Sequence, residues 1–427
     1  MRILVVGGGG REHALVWRLA QNPTVDRLYA APGNAGIAAD ATCMPIAAED
    51  VPGIVELVER ESIDLTVVGP EAPLVAGLAD ELEAGGRRVF GPTRDAARIE
   101  GSKAWAKELC ERCGIPAGRS RAFTELAPGV AYLDELEPPY VIKADGLAAG
   151  KGVVVAEDRS DAVAALEACL VERAFGDAGA TVLVEEHLTG REVSAFALTD
   201  GREVLPLAMA QDFKRAGDGD TGPNTGGMGA YSPVPWVDDA TERRIWNGVL
   251  GPAVRAMEAE GVRYRGVLYA GLMLTDDGPK LLEFNCRFGD PEAQVILPLL
   301  ETDLVSTLID VLDGNEPPLI WRREFAACVV LASRGYPARH QTGMPILGLD
   351  AVPEDVLVFH AGTRRDGGSL VTAGGRVLNL VGRGSTLTAA VERAYEGASR
   401  VEFEGKQFRR DIGRQVPETV SIGVGES

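Results

Sequence analysis

The stretch KLLEFNCRFGDPE, residues 280–292, sets an acid, an amide and a guanidinium two positions apart: Glu283, Asn285 and Arg287. Successive side chains of a β-strand alternate between its faces, so these three share one face. The opposite face, Leu282, Phe284, Cys286 and Phe288, is apolar and reads as core. The solvated side of an ordinary amphipathic strand would look much the same. Against that, Asn is a poor strand former, and the run stops abruptly at Gly289-Asp290-Pro291-Glu292, a turn. Two hard oxygen donors beside a cation suit Mg²⁺ together with an anionic substrate.

Residues 1–100 read as β-α units. RILVVG (2–7) is a short buried strand, and REHALVWRLAQ (11–21) has helical periodicity. The pattern recurs as LTVV (65–68) before GPEAPLVAGLADELEAGG (69–86), and as Arg88-Val89-Phe90 before GPTRDAARIEG (91–101). Alternating strands and helices imply a parallel sheet with ligands beyond the strand C-termini, where PGNAG (32–36) makes another turn. A helix begins at Ser102. PPYVIKADGLAAGKGVVVAED (138–158) looks like two strands joined by a glycine loop, SDAVAALEACLVERAF (160–175) like a helix, and TVLVEEHL (181–188) like a strand. Further on, EVSAFALTD, REVLPLAMA, GVLYAGLML and PKLLEFN read as strands around a long loop at 211–235. A β-rich end piece opens at EFAACVVLASRG (324–335) and includes VLVFHAGT and GGRVLNLVG, and the tail from 416 reads as frayed. These shifts divide the chain at 1–101, 102–320 (with a mobile subdomain at about 122–190) and 321–427. The expected fold class is α/β, in part α+β.

At 427 residues the chain is long enough for roughly two to four domains. Its net charge of −20 argues against a nucleic-acid surface, which needs a basic footprint. It leaves room for phosphate substrates in a locally positive pocket. The apolar run at the start is too short for a secretory segment, and no run of about 18 apolar residues offers a membrane span. The six cysteines form no disulfide framework, and Cys110 and Cys113, inside a helical stretch, read as packing thiols. A reducing cytoplasm fits. The histidines at 13, 187, 340 and 360 form no evident cluster in the sequence, which speaks against a His-based nucleophile.

Three glycine loops carry the remaining chemistry. GGGGREH (7–13) fails the dinucleotide fingerprint in both registers, because its third glycine position falls on Glu12 or His13. It remains a glycine turn ahead of a helix N-terminus, where free amides attract anions, or simply a tight turn. GLAAGKG (146–152) fails the Walker pattern, since no Ser or Thr follows the lysine and it joins two strands. With Lys143 before it and Lys151 inside it, such a hairpin could fold over phosphates as a flap, or be a mobile surface loop. QDFKRAGDGDTGPNTGGMGAYSP (211–233) interrupts six glycines with Asp212, Lys214, Arg215, Asn224 and Thr225. The amides of Thr225-Gly226-Gly227 could form an anion-binding nest.

Taken in order, GGGGREHAL, GPEAPL, KADGLAAGKGV, PNTGGMGAYSP and LEFNCRFGDPE resemble the motifs of the phosphoribosylamine–glycine ligases, a family of the ATP-grasp superfamily. The resemblance runs from residue 1 to about 413 and includes GYP (335–337), FHAGT (359–363) and RRDIG (409–413). It implies an ATP-grasp fold behind an N-terminal Rossmann-like domain, with a β-rich C-terminal domain. It also implies ADP-forming ligation of glycine to 5-phosphoribosylamine, in purine biosynthesis, by a monomer that uses ATP with Mg²⁺ or Mn²⁺. On this resemblance Glu283 and Asn285 match the metal ligands, with phosphate oxygens and water completing the shell. Lys103, Lys143, Gly150 and Lys151 match ATP-phosphate contacts, Glu185, Glu186 and Leu188 the adenine segment, and Glu192 the ribose ligand. Asp212, Lys214 and Arg287 match the catalytic set, with Thr225, Gly226, Gly227 and Met228 beside them. Gly9, Gly10, Asn34 and Glu71 match the side that holds phosphoribosylamine. The family often has His where this chain has Phe213, so no acid–base role falls there. Rival readings are another ATP-grasp ligase or carboxylase, an NAD-dependent oxidoreductase, and a non-catalytic nucleotide sensor.

Overall fold

The computed structural model describes residues 1–147 and 152–414. Gly150 and Lys151 of the expected flap, and the tail from 415 on, lie outside the described residues. At the N-terminus, Thr42–Cys43, Arg27–Pro32, Arg2–Gly7, Leu65–Val68 and Val89–Phe90 form a parallel sheet in that spatial order. The first strand in sequence lies in the middle, so the connections diverge on either side of it. That divergence opens a crevice at the strand C-termini. The segment read as the helical partner of Leu65–Val68 is in fact two helices, Glu71–Val75 and Leu78–Ala84. Between them Gly77 takes φ 93°, a backbone state that other residues rarely adopt.

Two antiparallel sheets follow. Ser120–Phe123, Val182–Glu186, Tyr140–Ala144 and Val153–Ala156 make the first. Helices Leu126–Tyr132 and Arg159–Leu170 pack against it around a separate core that includes Leu133, Ile142, Leu166 and Val184. The second sheet runs Val204–Pro206, Arg191–Thr199, Gly266–Thr275, Gly278–Asn285. REVLPLAMA joins it through Val204–Pro206 and, past that strand, through the Leu207 amide, which donates to the Phe196 carbonyl (2.8 Å), and through Ala210, which pairs with Ser194.

The strand that opened the sequence reading carries a bulge. Gly271 pairs with Glu283 but Leu272 pairs with Leu281, leaving Leu282 as the extra residue. The face pattern therefore changes phase: Leu281 is buried and Leu282 is not, whereas the sequence pattern had placed Leu282 in the core. Beyond the bulge, Phe284, Cys286 and Phe288 are buried as expected.

The segment 211–235 is not a loop. It comprises Gln211–Asp212, a hairpin of Arg215–Gly217 with Thr221–Asn224, and the strand Gly229–Ser232. That last strand pairs antiparallel with Phe325–Ala332, which pairs with Arg376–Gly384 and then Leu357–His360. The middle of the chain thus supplies the edge of the C-terminal sheet. Cys110 is buried as expected, whereas Cys113, also read as a packing thiol, is exposed at the end of helix Lys103–Cys113.

The hairpin is held from the C-terminal end. Arg409, fully buried, donates to Asp220 (2.7 Å), to Asp411 (2.7 and 2.8 Å) and to the carbonyl of Arg215 (3.2 Å). Its guanidinium also lies 4.9 Å from the Phe213 ring. Replacing Arg409 by Met leaves Asp411 facing a buried gap, while the exposed Asp220 hydrates. The expected loss is about 2 kcal/mol, below the full cost of a broken buried pair. Urea unfolding checks it: an unchanged midpoint would mean that the network contributes nothing to stability.

Candidate active site

A cavity of about 1020 Å³ opens where the N-terminal sheet, the two antiparallel sheets and the C-terminal sheet meet. Glu283, Asn285 and Arg287 line it, together with Lys103, Lys143, Glu185, Glu186, Leu188, Glu192, Asp212, Lys214, Glu71, Thr225 and Gly226. Residues spread over more than 200 positions of sequence therefore converge on one space.

The lysine side is built by helix capping and strand pairing. Ser102 caps helix Lys103–Cys113, accepting from the Trp105 amide, while its hydroxyl donates to Asp145 at 3.0 Å. Lys103 so placed donates to the carbonyls of Ala144 (3.1 Å) and Gly146 (3.2 Å), and burial draws its pKa below the ordinary lysine value. Lys143 donates to Glu185 (3.0 Å) and to the carbonyl of the bulged Leu282 (3.1 Å). Lys107, not anticipated from sequence, meets the same Glu185 oxygen at 3.2 Å. It sits one turn beyond Lys103, a spacing that could have revealed it. The second Glu185 oxygen is buried without a hydrogen-bond partner among the described residues. Glu186 points elsewhere, bound to Arg119 at 2.9 Å.

The acidic side faces it. Burial works against the Glu283 carboxylate, but Lys214, Lys143, Lys103 and Arg287 outweigh it and hold its pKa below the usual range. Lys214 lies 3.1 Å from Glu192 and 4.0 Å from Glu283. Asp212 is different: burial pushes its pKa up to about 7, with Glu292, Glu192 and Glu283 adding to the rise and Lys214 opposing it. Glu292, missed in the sequence although it closes the GDPE turn, is buried and accepts from Ser194 at 3.2 Å. Among the described residues no three His, Cys, Asp or Glu side chains converge to hold a metal ion. An ionised Glu283 two residues from the Asn285 amide is nevertheless an oxygen-donor set suited to Mg²⁺ whose remaining ligands come with an anion.

Arg287 is fixed by two acids, Glu100 at 2.8 Å and Glu71 at 3.1 Å. Glu100 also accepts from the Cys286 amide at 2.7 Å. Nothing in the sequence marked Glu100. The TGG segment folds onto Lys214: the Thr225 amide and hydroxyl both donate to the Lys214 carbonyl (2.7 and 2.8 Å), and Thr225 Oγ1 accepts from Gly227. Gly227 and the buried Met228 lie behind this wall rather than on it.

Gly9, Gly10 and Asn34 do not line the cavity. The carboxylate that binds the Gly9 amide is the chain's own Glu12, at 2.6 Å. A Cβ on Gly10 would fall 2.3 Å from the Asn379 side-chain amide and 2.5 Å from that of Gln294, so the glycine lets these two buried side chains approach its backbone. Asn34 bridges the carbonyls of Gly8 and His360 while accepting from Gly36 and Ile37, which uses all its hydrogen-bonding capacity. Two of the histidines do come together, contrary to the reading from sequence: the His360 amide donates to His13 Nδ1 (2.7 Å), with the rings 5.6 Å apart. Neither lines the cavity.

Family models match the chain in three blocks: the N domain of phosphoribosylglycinamide synthetase at residues 1–100, its ATP-grasp domain at 101–293, and its C domain at 326–415. The phosphoribosylamine–glycine ligase of Halalkalibacterium halodurans is 49% identical over 413 residues, covering 97% of this chain and 96% of that one. The enzyme of the same name from Caulobacter vibrioides is 51% identical over 418 residues, covering 97% and 98%. The crystal structure of phosphoribosylamine–glycine ligase from Thermotoga maritima superposes with TM-score 0.86 at 37% identity, covering 96% of this chain and all of that one. A biotin carboxylase domain from Hydrogenobacter thermophilus, solved with MgADP and bicarbonate, shares the fold at TM-score 0.74 and 17% identity.

Asp212 should leave a signature in stability. Between the ordinary aspartate value near 4 and about 7, the folded protein keeps a proton that the unfolded chain has released. Stability relative to Asp212→Asn should therefore fall as pH rises through that window and level off above it. Parallel denaturation curves for the two proteins from pH 4 to 8 would contradict this.

Proposed function

The chain belongs to the phosphoribosylglycinamide synthetase family, and we propose that it joins glycine to 5-phosphoribosylamine, converting ATP to ADP and phosphate and yielding glycinamide ribonucleotide. The observation that carries this reading is the meeting of Glu283, Asn285 and Arg287 with Lys103, Lys143 and Lys214 around one cavity. A carboxylate is a poor electrophile for an amine. Transfer of the γ-phosphoryl group to the glycine carboxylate makes glycyl phosphate, and the amine then attacks its carbonyl, expelling phosphate and losing a proton.

Each part of the site has a task in this reaction. Lys103 and Lys143 bind the phosphates, and the ordered charge around them favours the spread negative charge of the transferring group. Glu185 fixes Lys143, while the segment to Leu188 takes the adenine and Glu192 the ribose. Glu283 and Asn285 would hold Mg²⁺, which on binding neutralises phosphate charge; Mn²⁺ suits the same donors. Lys214 and Arg287 orient the carboxylate under attack. Asp212, with its proton affinity near neutral, is the group suited to accept the proton released by the amine. Thr225 and Gly226 form the wall beside the amino acid, backed by Gly227 and Met228.

In this reading residues 1–101 present the amine substrate through Glu71, with Gly9, Gly10 and Asn34 shaping the turns behind it. Residues 102–320 carry ATP, with a flap within about 122–190 that includes Gly150 and Lys151. Residues 321–427 close the site. The enzyme works in the cytoplasm as a monomer, and among the described residues no helix is long and apolar enough to cross a membrane.

Two measurements test this. ADP release is followed with Mg-ATP, glycine and phosphoribosylamine generated in place from ribose 5-phosphate and ammonia, omitting each component in turn. The expected outcome is ADP only when all are present; ADP without glycine or without the amine would identify a different ATP-grasp ligase. Glu283→Ala should lower turnover by at least about 10³-fold with the fold retained, as expected when phosphate charge is no longer neutralised. Activity close to that of the unaltered chain would remove Glu283 from the metal site.

A further inference from the structure

The C-terminal sheet contributes one side chain that touches both walls of the cavity. Arg376, the first residue of strand Arg376–Gly384, donates through one guanidinium nitrogen to the carbonyls of Gly226 (2.6 Å) and Asp290 (2.5 Å). Its other terminal nitrogen lies 3.1 Å from the Asp290 carboxylate. From the same domain, Tyr336 accepts from the Gly226 amide at 2.9 Å. Gly226 belongs to the segment tied by Thr225 to the Lys214 carbonyl, and Asp290 follows Arg287 by three residues. Asp290 is fixed in turn by Gln294, which donates to it at 2.6 Å. A Cβ at Gly226 would stand 3.1 Å from the Arg376 guanidinium carbon, so loop and clamp are in tight contact.

We propose that Arg376 is a positioning residue: with Tyr336 it sets the separation between the Lys214 wall and the Arg287 wall, and so the fit of the small amino-acid substrate between them. This rests on the ligase reading given above. A guanidinium can bridge two backbone carbonyls and a carboxylate at once because its donors lie in a rigid planar fork, which an ammonium does not reproduce. The lysines assigned to ATP are held by other groups, Ala144, Gly146 and Glu185, none of which Arg376 touches. Loosening the clamp should therefore act on glycine and leave ATP binding largely alone.

The test compares Arg376→Ala, Arg376→Lys and Tyr336→Phe with the unaltered chain, measuring KM for ATP and for glycine, kcat, and the melting temperature. Arg376→Ala should raise the glycine KM about tenfold or more while the ATP KM stays within about twofold. Arg376→Lys should recover part of the loss. Tyr336→Phe, which removes one hydroxyl from a partly exposed ring, should shift the glycine KM in the same direction by less. If both KM values rise together, or only the melting temperature falls, the role is structural and the proposal is wrong. If the unaltered chain forms no ADP in response to glycine, it is the ligase reading that fails, and this inference falls with it.

Discussion

Arg287 between Glu71 and Glu100 is the interaction on which the site depends. The two acids come from helices of the N-terminal domain, Glu71–Val75 and Arg94–Gly101, and the guanidinium from just past the end of strand Gly278–Asn285. All three groups are largely removed from water. Taking any one away would strand the others in a region of low polarity, which is costly. Glu100 also holds the Cys286 amide, so one carboxylate fixes both the side chain and the backbone at the strand's exit. The direction in which Glu283 and Asn285 face is a consequence: they lie just upstream on a strand whose end cannot move relative to the N-terminal domain.

Much of this architecture was legible in the sequence because local rules determine it. The parallel sheet follows from short apolar runs alternating with helical periods, and the helix read as beginning at Ser102 runs over Lys103–Cys113 with Ser102 as its cap. What was illegible was set by partners distant in sequence. The bulge at Leu282 exists because Gly271 and Leu272 on the neighbouring strand pair with Glu283 and Leu281, and the 280–288 pattern alone cannot show a change of phase imposed from across the ladder. The hairpin and strand within 211–235 were hidden by glycine content. There, pairing to Phe325–Ala332 and the grip of Arg409 supply the order that local propensity lacks.

The site residues divide along the same line. Glu283, Asn285 and Arg287 announce themselves by alternation, and their common placement on the cavity follows. Glu100, Glu292 and Arg376 carry ordinary side chains in ordinary elements, and only the fold brings them to the cavity; Lys107 had one local sign, its place a turn beyond Lys103. Gly9, Gly10 and Asn34 show the reverse. Their motif draws attention to a possible anion site, yet Glu12 satisfies the Gly9 amide, Gly10 gives room to Asn379 and Gln294, and Asn34 is fully bonded within the protein. A glycine-rich turn can serve close packing between domains as readily as close approach of a ligand.

The chain carries a net charge of −20, yet its cavity gathers Lys103, Lys143, Lys214, Arg11, Arg287 and Arg376. Each of these cations already has a protein carboxylate or carbonyl near it: Glu185 at Lys143, Glu192 at Lys214, Glu12 at Arg11, Asp290 at Arg376, and the strand-end carbonyls at Lys103. Unpaired, so many like charges in one cleft would repel one another and lose hydration. Paired, they are held at fixed positions with their fields partly cancelled. An incoming polyphosphate then meets donors whose geometry is already set, so little reorganisation remains to be done at the moment of reaction. The acidic partners are therefore part of what allows an acidic protein to accommodate several anions in one place.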